Sequence, residues 1–195
     1  HAFAADTGHE EWAYIPSMVL PELYRLADKK YSDVGLHRFY VDNSPETGDI
    51  CPTAPATACS ADQWKTILVG GLNRGGKGYY ALDITNPDSP SLLWEFTDTN
   101  LGYSYSNPRI TKLKNGKWVV IFSSGYNNAD GNGRLYVLDA NTGSPVTGIG
   151  TTGSPGITTG VGSAASPSGL GRISAHVTDP LTNNTVRAVY GGDIS

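Results

Sequence analysis

Charge and sulfur are both scarce in this chain. Lys, Arg, Asp and Glu together make up 16% of its 195 residues, Met occurs once and Cys twice. No stretch approaches the roughly 18 consecutive apolar residues of a membrane-crossing helix, so none is expected. Fourteen basic residues against 18 acidic ones leave a net charge of −4. That removes the electrostatic case for nucleic acid or an anionic membrane as partner. No G-x-S-x-G or His-Glu-x-x-His string occurs, so two common hydrolase patterns are missing. The four histidines, His1, His9, His37 and His176, are scattered. Lone histidines of this kind are more often structural than catalytic, and the expectation is a protein that is not an enzyme.

What is abundant is Gly, at 24 residues, and Tyr, at 11. Without a long run of helix-favouring residues, this composition points to an all-β chain. Its segments also recur. "GRLYVLDANTG" (133–143), "GYYALDITNP" (78–87) and the opening "HAFAADTG" share a pattern in which Gly143 falls on Gly8 and Asp139 on Asp83. "WKTILVGGLN" (64–73) aligns without a gap on "WVVIFSSGYN" (118–127), matching Trp64 with Trp118, Gly71 with Gly125 and Asn73 with Asn127. "VRAVYGGDIS" ends the chain with Gly192 in the same place. Strands at "SLLWEFT" (91–97) and "EEWAYIP" (10–16) close the unit.

A unit of four antiparallel strands over about 50 residues has the size of a propeller blade. The reading is part of a β-propeller: 1–16 ends one blade, 37–97 and 107–150 are blades, and 172–195 begins the next. The first strands are expected at "HRFYVD" (37–42), "NPRITKL" (107–113) and "RISAHVTD" (172–179). Because propellers close with about 4 to 8 blades, the chain reads as a piece of a longer protein whose remaining blades are its first partner. "PSMVLPELYRLADKKYS" (16–32) reads as a short inserted helix near 20–28, with Leu20, Leu23, Tyr24 and Ala27 on one face. The run 142–171, dominated by Gly, Ser, Thr and Pro, reads as loop with a short strand near Val146–Ile149. The loops 43–63 and 144–170 are the candidate recognition surfaces.

Four stretches invite chemistry. Cys51 and Cys59 enclose seven residues of Pro, Thr and Ala, with no further Cys or His nearby to complete a metal site. A disulfide closing a surface loop in an oxidising compartment fits better. "GLNRGGKG" (71–78) approximates a phosphate-binding loop, but Gly78 stands where Ser or Thr is needed and a strand follows, so it reads as a hairpin turn. "GIGTTG" (148–153) carries no flanking strand–helix unit and no weight. In "NADGNG" (128–133), Asn128, Asp130 and Asn132 alternate as in a calcium loop, with Asp139 at the twelfth position. The same residues suit a hairpin turn, and the site has few charged oxygens. These four are the candidate metal ligands, and calcium the candidate ion.

Taken together, "HAFAADTGHEEWAYIPSMV", "WKTILVGGLNRGGKGYYALDITNP", "LGYSYSNPRI" and "YGGDIS" resemble the C-terminal β-propeller of the PilY/PilC family of type IV pilus tip-associated adhesins. The resemblance covers nearly the whole chain and is weakest at the Cys51–Cys59 loop and at 144–170. It implies an exported bacterial protein at the pilus tip or outer membrane. Such proteins assist minor pilins in pilus biogenesis, support twitching motility and attach cells to host or abiotic surfaces. Many members carry a calcium loop in a late blade. The corresponding segment here, "HVTDPLTNNTVRAVYGGD", keeps only Asp179, followed by Asn183 and Asn184. Two other readings stand beside it. The "YALD" style of repeat also resembles quinoprotein dehydrogenase propellers, and a periplasmic propeller could scaffold outer-membrane assembly.

Overall fold

The strand Trp118–Ser123 buries all six of its residues, which only a sheet covered on both faces can do. The computed structural model describes residues 1–33, 35–53, 59–149 and 155–194. Twelve strands are found among them: β1 Ala2–Phe3, β2 Glu10–Trp12, β3 Glu46–Ile50, β4 Lys65–Gly71, β5 Tyr79–Asp83, β6 Ser91–Phe96, β7 Arg109–Lys112, β8 Trp118–Ser123, β9 Arg134–Asp139, β10 Ile157–Thr158, β11 Ile173–Val177 and β12 Val186–Gly191. All pairings between them are antiparallel. They form two four-stranded meanders, β3 to β6 and β7 to β10, with a two-stranded hairpin on either side.

Period-two alternation assigns each face to a neighbour. Ile67, Val69, Tyr79 and Ala81 of the first meander meet Val120, Phe122, Tyr136 and Leu138 of the second. The alternate residues of the second meander, Val119, Ile121 and Val137, pack with Ile173, Val186 and Val189 of the β11–β12 hairpin. On the other side, Tyr80 and Leu82 join Val19 and Trp12. Each meander is therefore a slab between two others, the geometry of propeller blades. Phe122 is the centre of the main core. Its ring stacks on Tyr79 at 3.9 Å and on Tyr136 at 5.5 Å, with Phe96 edge-on at 5.8 Å. Each such pair contributes about 0.5–1.5 kcal/mol beyond area burial.

The innermost strand corrects the sequence reading. "HRFYVD" (37–42) is not a strand. β3 begins after Pro45, in the polar run Glu46–Ile50. Neighbouring blades converge there, and Gly48 lies so close to β7 that a Cβ would sit 3.2 Å from Ile110 Cγ2. Small and polar residues fit that space, so the apolar alternation at 37–42 pointed to the wrong segment. Those residues instead cover the insertion, with Tyr40 Oη donating to Glu22 O at 3.0 Å.

The insertion is a 3-10 helix, Ser17–Ala27, rather than an α-helix. Pro21 lies inside it, and three-residue periodicity buries Val19 while leaving Leu20, Tyr24 and Leu26 exposed. The face predicted at α-helical spacing therefore does not form. A carboxylate latches this segment to the first blade. Glu95 accepts hydrogen bonds from Tyr14 Oη, Ser17 N at 2.7 Å and Ser17 Oγ.

The outer strand of the second blade is split. Pro145 bridges Leu138, and Val146 N donates to Val137 O at 3.0 Å. The chain then leaves the sheet and returns as β10, where Ile157 pairs with Leu135. The strand expected at Val146–Ile149 does not form: 147–149 are turn, the edge contact is made by Pro145 and Val146, and the blade extends to Thr158.

Candidate recognition surface

The hairpins at one end of the blades carry the repeated Gly–Asn turns. Asn73 and Asn127 both adopt left-handed backbone angles, with φ of 47° and 60°, a region Asn tolerates better than other side chains. Asn43 Nδ2 donates to Asn73 Oδ1 at 2.7 Å, and Asn73 Nδ2 to Asp42 O at 2.9 Å. The string 71–78 is therefore a β-hairpin turn closed by amides. Lys77 is not poised over an open anion site: its ammonium meets Asn127 O and lies 5.7 Å from the Tyr103 ring centroid. Tyr105 and Tyr126 pack together beside it, at 5.5 Å.

The four candidate calcium ligands fall in two places. Asn128, Asp130 and Asn132 form one turn, in which Asn128 Nδ2 donates to Asn132 O at 2.6 Å and Asn132 N to Asp130 Oδ1 at 3.1 Å. The other Asp130 oxygen holds the Arg134 guanidinium. Burial works against the charged carboxylate, but the hydrogen bonds from Arg134 and Asn132 outweigh it, so the Asp130 pKa is lowered. Asp139 lies at the far end of β9, about 17 Å along an extended strand. It accepts from Asn141 N and Thr142 N, each at 3.0 Å, and pairs with Lys117 Nζ at 3.1 Å. Among the described residues no three His, Cys, Asp or Glu side chains converge as a metal site. Asp179 is likewise spent on its own turn, its carboxylate accepting from Thr182 N at 3.3 Å and from Thr182 Oγ1.

Cys51 and Cys59 are disulfide-bonded, with Cα atoms 6.4 Å apart. Cys51, directly after β3, is not on the surface: it is buried in the core between the two blades. Of the loop 43–63, residues 46–50 are strand, and 54–58 lie outside the described residues. Of the low-complexity run 144–170, the segment from 155 onward is tied down by backbone hydrogen bonds. Ser168 N donates to Gly131 O at 2.8 Å, Gly133 N to Val161 O at 3.1 Å and Gly125 N to Leu170 O at 3.0 Å. Its glycines let backbone pack on backbone: a Cβ on Gly162 would lie 2.2 Å from Gly131 O. Part of "GIGTTG" lies outside the described residues.

The histidines remain apart. His1 contacts Glu10 at 3.0 Å, and His37, in a loop rather than a strand, packs between Tyr31 and Phe39. His176 is exposed on β11. A contact that the sequence reading missed links the blades. Trp12 Nε1 donates to Pro87 O, and Trp94 Nε1 to Ala140 O. The recurrence of Trp in the fourth strands, at "EEW" and "LLW", was the available signal.

Comparison with known proteins bears on these features together. Residues 1–193 match the family described as the PilY1 beta-propeller domain. The type IV pilus biogenesis factor PilY1 of Pseudomonas aeruginosa strain PAO1 is 38% identical over 197 aligned residues, covering all of this chain and 15% of that protein. A PilY1 homologue of Xylella fastidiosa is 34% identical over 206, covering all of this chain and 13% of its own length. The crystal structure of the P. aeruginosa PilY1 C-terminal domain superposes with a TM-score of 0.68 at 34% identity, over 98% of this chain and 34% of that one. The chain thus spans a small part of its curated relatives, which are named as biogenesis factors rather than enzymes. Blades, repeated turns and whole-chain similarity agree, and the chain belongs to the PilY1 beta-propeller family.

Proposed function

We propose that this chain is a non-catalytic propeller module of a type IV pilus tip-associated protein, supporting pilus biogenesis and attachment to host or abiotic surfaces. The observation that carries the reading is identity of 38% to a pilus biogenesis factor across the whole chain. The partners proposed are the rest of its own propeller, minor pilins and the contacted surface. The proposed location is the cell surface, at the pilus tip or outer membrane. The naming of the relatives as biogenesis factors supports a role without chemistry. No cofactor is assigned.

The test is deletion of the encoding gene, with surface pili counted against a constant level of major pilin. Loss of pili, restored by disabling the retraction motor, supports the biogenesis role. Normal piliation with reduced attachment would leave adhesion alone, and normal piliation with normal attachment would overturn the reading.

A further inference from the structure

The charges of this molecule are unevenly used. Arg25, Arg38, Lys65, Arg109, Lys117 and Arg134 all sit in ion pairs. Lys112, Lys114 and Arg187 take part in none among the described residues, yet they line one cleft of about 820 Å³. Its walls are the β7–β8 turn and the β11–β12 turn, fixed to each other by Thr111 Oγ1 and Lys112 N, both donating to Asn184 O at 2.9 Å. Its one acidic side chain, Asp179, is occupied by Thr182. Leu113 and Val186 also line it, as half-buried apolar groups. The cleft therefore combines cations that stand outside the ion pairs of the described residues, hydroxyl and amide groups, and apolar contact surface, in a protein of net charge −4.

We propose that this cleft docks an acidic polypeptide segment in which carboxylates alternate with apolar side chains. Charge complementarity selects the carboxylates: Lys114 and Arg187 are exposed, while Lys112 is half-buried with its ammonium 5.8 Å from the Trp118 ring centroid. Leu113 and Val186 favour a peptide over an inorganic anion or a polyanionic sugar, neither of which has apolar groups to place there. A nucleic acid would seat phosphates on the cations but bring no aliphatic side chain to Leu113 and Val186. The cleft lies between turns rather than on an open sheet face, so it is not where a further strand would pair.

The probe is a short dye-labelled peptide alternating glutamate with leucine, titrated into the full chain by fluorescence anisotropy at low and high salt. Binding that weakens as salt rises is expected. The double variant Lys114→Gln/Arg187→Gln should bind roughly tenfold more weakly, whereas Lys114→Arg/Arg187→Lys should bind as the parent. Lys29→Gln/Lys30→Gln, at exposed lysines elsewhere, should change nothing. Equal binding of a glutamine–leucine peptide, equal affinity in the Lys114→Gln/Arg187→Gln variant, or competition by inorganic phosphate or a heparin fragment at the same concentration as the peptide would each overturn the proposal.

Discussion

Trp12 and Trp94 make the same contact in successive blades: each indole N–H reaches from a fourth strand to a turn carbonyl of the next blade, Pro87 O at 2.7 Å and Ala140 O at 3.0 Å. Ala140 is fully buried and Trp94 nearly so, so no water replaces the lost donor. Trp94→Phe should cost about 1–3 kcal/mol in urea unfolding. Trp12→Phe should cost less, because the indole is only half-buried. Trp118 Nε1 is buried with no hydrogen-bond partner among the described residues, so Trp118→Phe breaks no hydrogen bond among them and should be the mildest of the three. A Trp118→Phe loss equal to that of Trp94→Phe would refute this ranking.

Gly143 and Gly8 occupy matching turns, with φ of +71° and +72°. An alanine at Gly8 meets nothing within 4 Å, whereas at Gly143 its Cβ would lie 2.6 Å from Trp94 Cγ. Gly8→Ala should therefore cost only the backbone strain, about 1–2 kcal/mol. Gly143→Ala adds displacement of the Trp94 ring and should cost clearly more. Thermal melts of the two variants side by side check the difference.

The latch at Glu95 should depend on pH. Burial raises the carboxyl pKa, but the hydrogen bonds from Ser17 and Tyr14 outweigh it and leave it lowered. A group with a depressed folded pKa contributes stability above its unfolded pKa, about 4.3 for Glu. That contribution is lost as pH falls through the folded value. Proteolysis after residues 17–28 should therefore be slow at neutral pH and accelerate in acid. Glu95→Ala should be fast at both. Proteolysis of the parent that is equally slow at acid and neutral pH would rule the latch out.

Asp130 offers a test of calcium against turn chemistry. If its work is to hold Arg134 and Asn132, Asp130→Asn should destabilise by about 1–3 kcal/mol whether or not calcium is present. Melting temperature should not move on adding calcium or a chelator. A calcium-dependent rise that vanishes in Asp130→Asn would restore these residues as ion ligands.

The middle strands were legible because two-sided burial writes itself as near-continuous apolar runs, as in "WVVIF" and "YYALD". The turns were legible because left-handed angles demand Asn or Gly, which is why Asn73 and Asn127 aligned. β3 was not, since the space near Ile110 rewards Gly48 rather than a large apolar residue. The 3-10 insertion was read with the wrong period, so Leu20, Leu23, Tyr24 and Ala27 were grouped on one face. At the candidate sites, the spacing of Asn128, Asp130, Asn132 and Asp139 fitted an ion loop only along the sequence. Sequence spacing cannot show that β9 carries Asp139 away from the turn. The cationic cleft joins residues near 114 and 187 and has no local signature.

The broken outer strand of the second blade also bears on how such a protein can change. Register is held at both ends, by Pro145 and Val146 against Leu138 and Val137 and by Ile157 against Leu135, so the pairing does not depend on the length of the segment that joins them. Lengthening it costs only loop-closure entropy, about 0.6 kcal/mol per doubling. That rim is where insertions can accumulate, or an epitope be displayed, without disturbing the cores between blades.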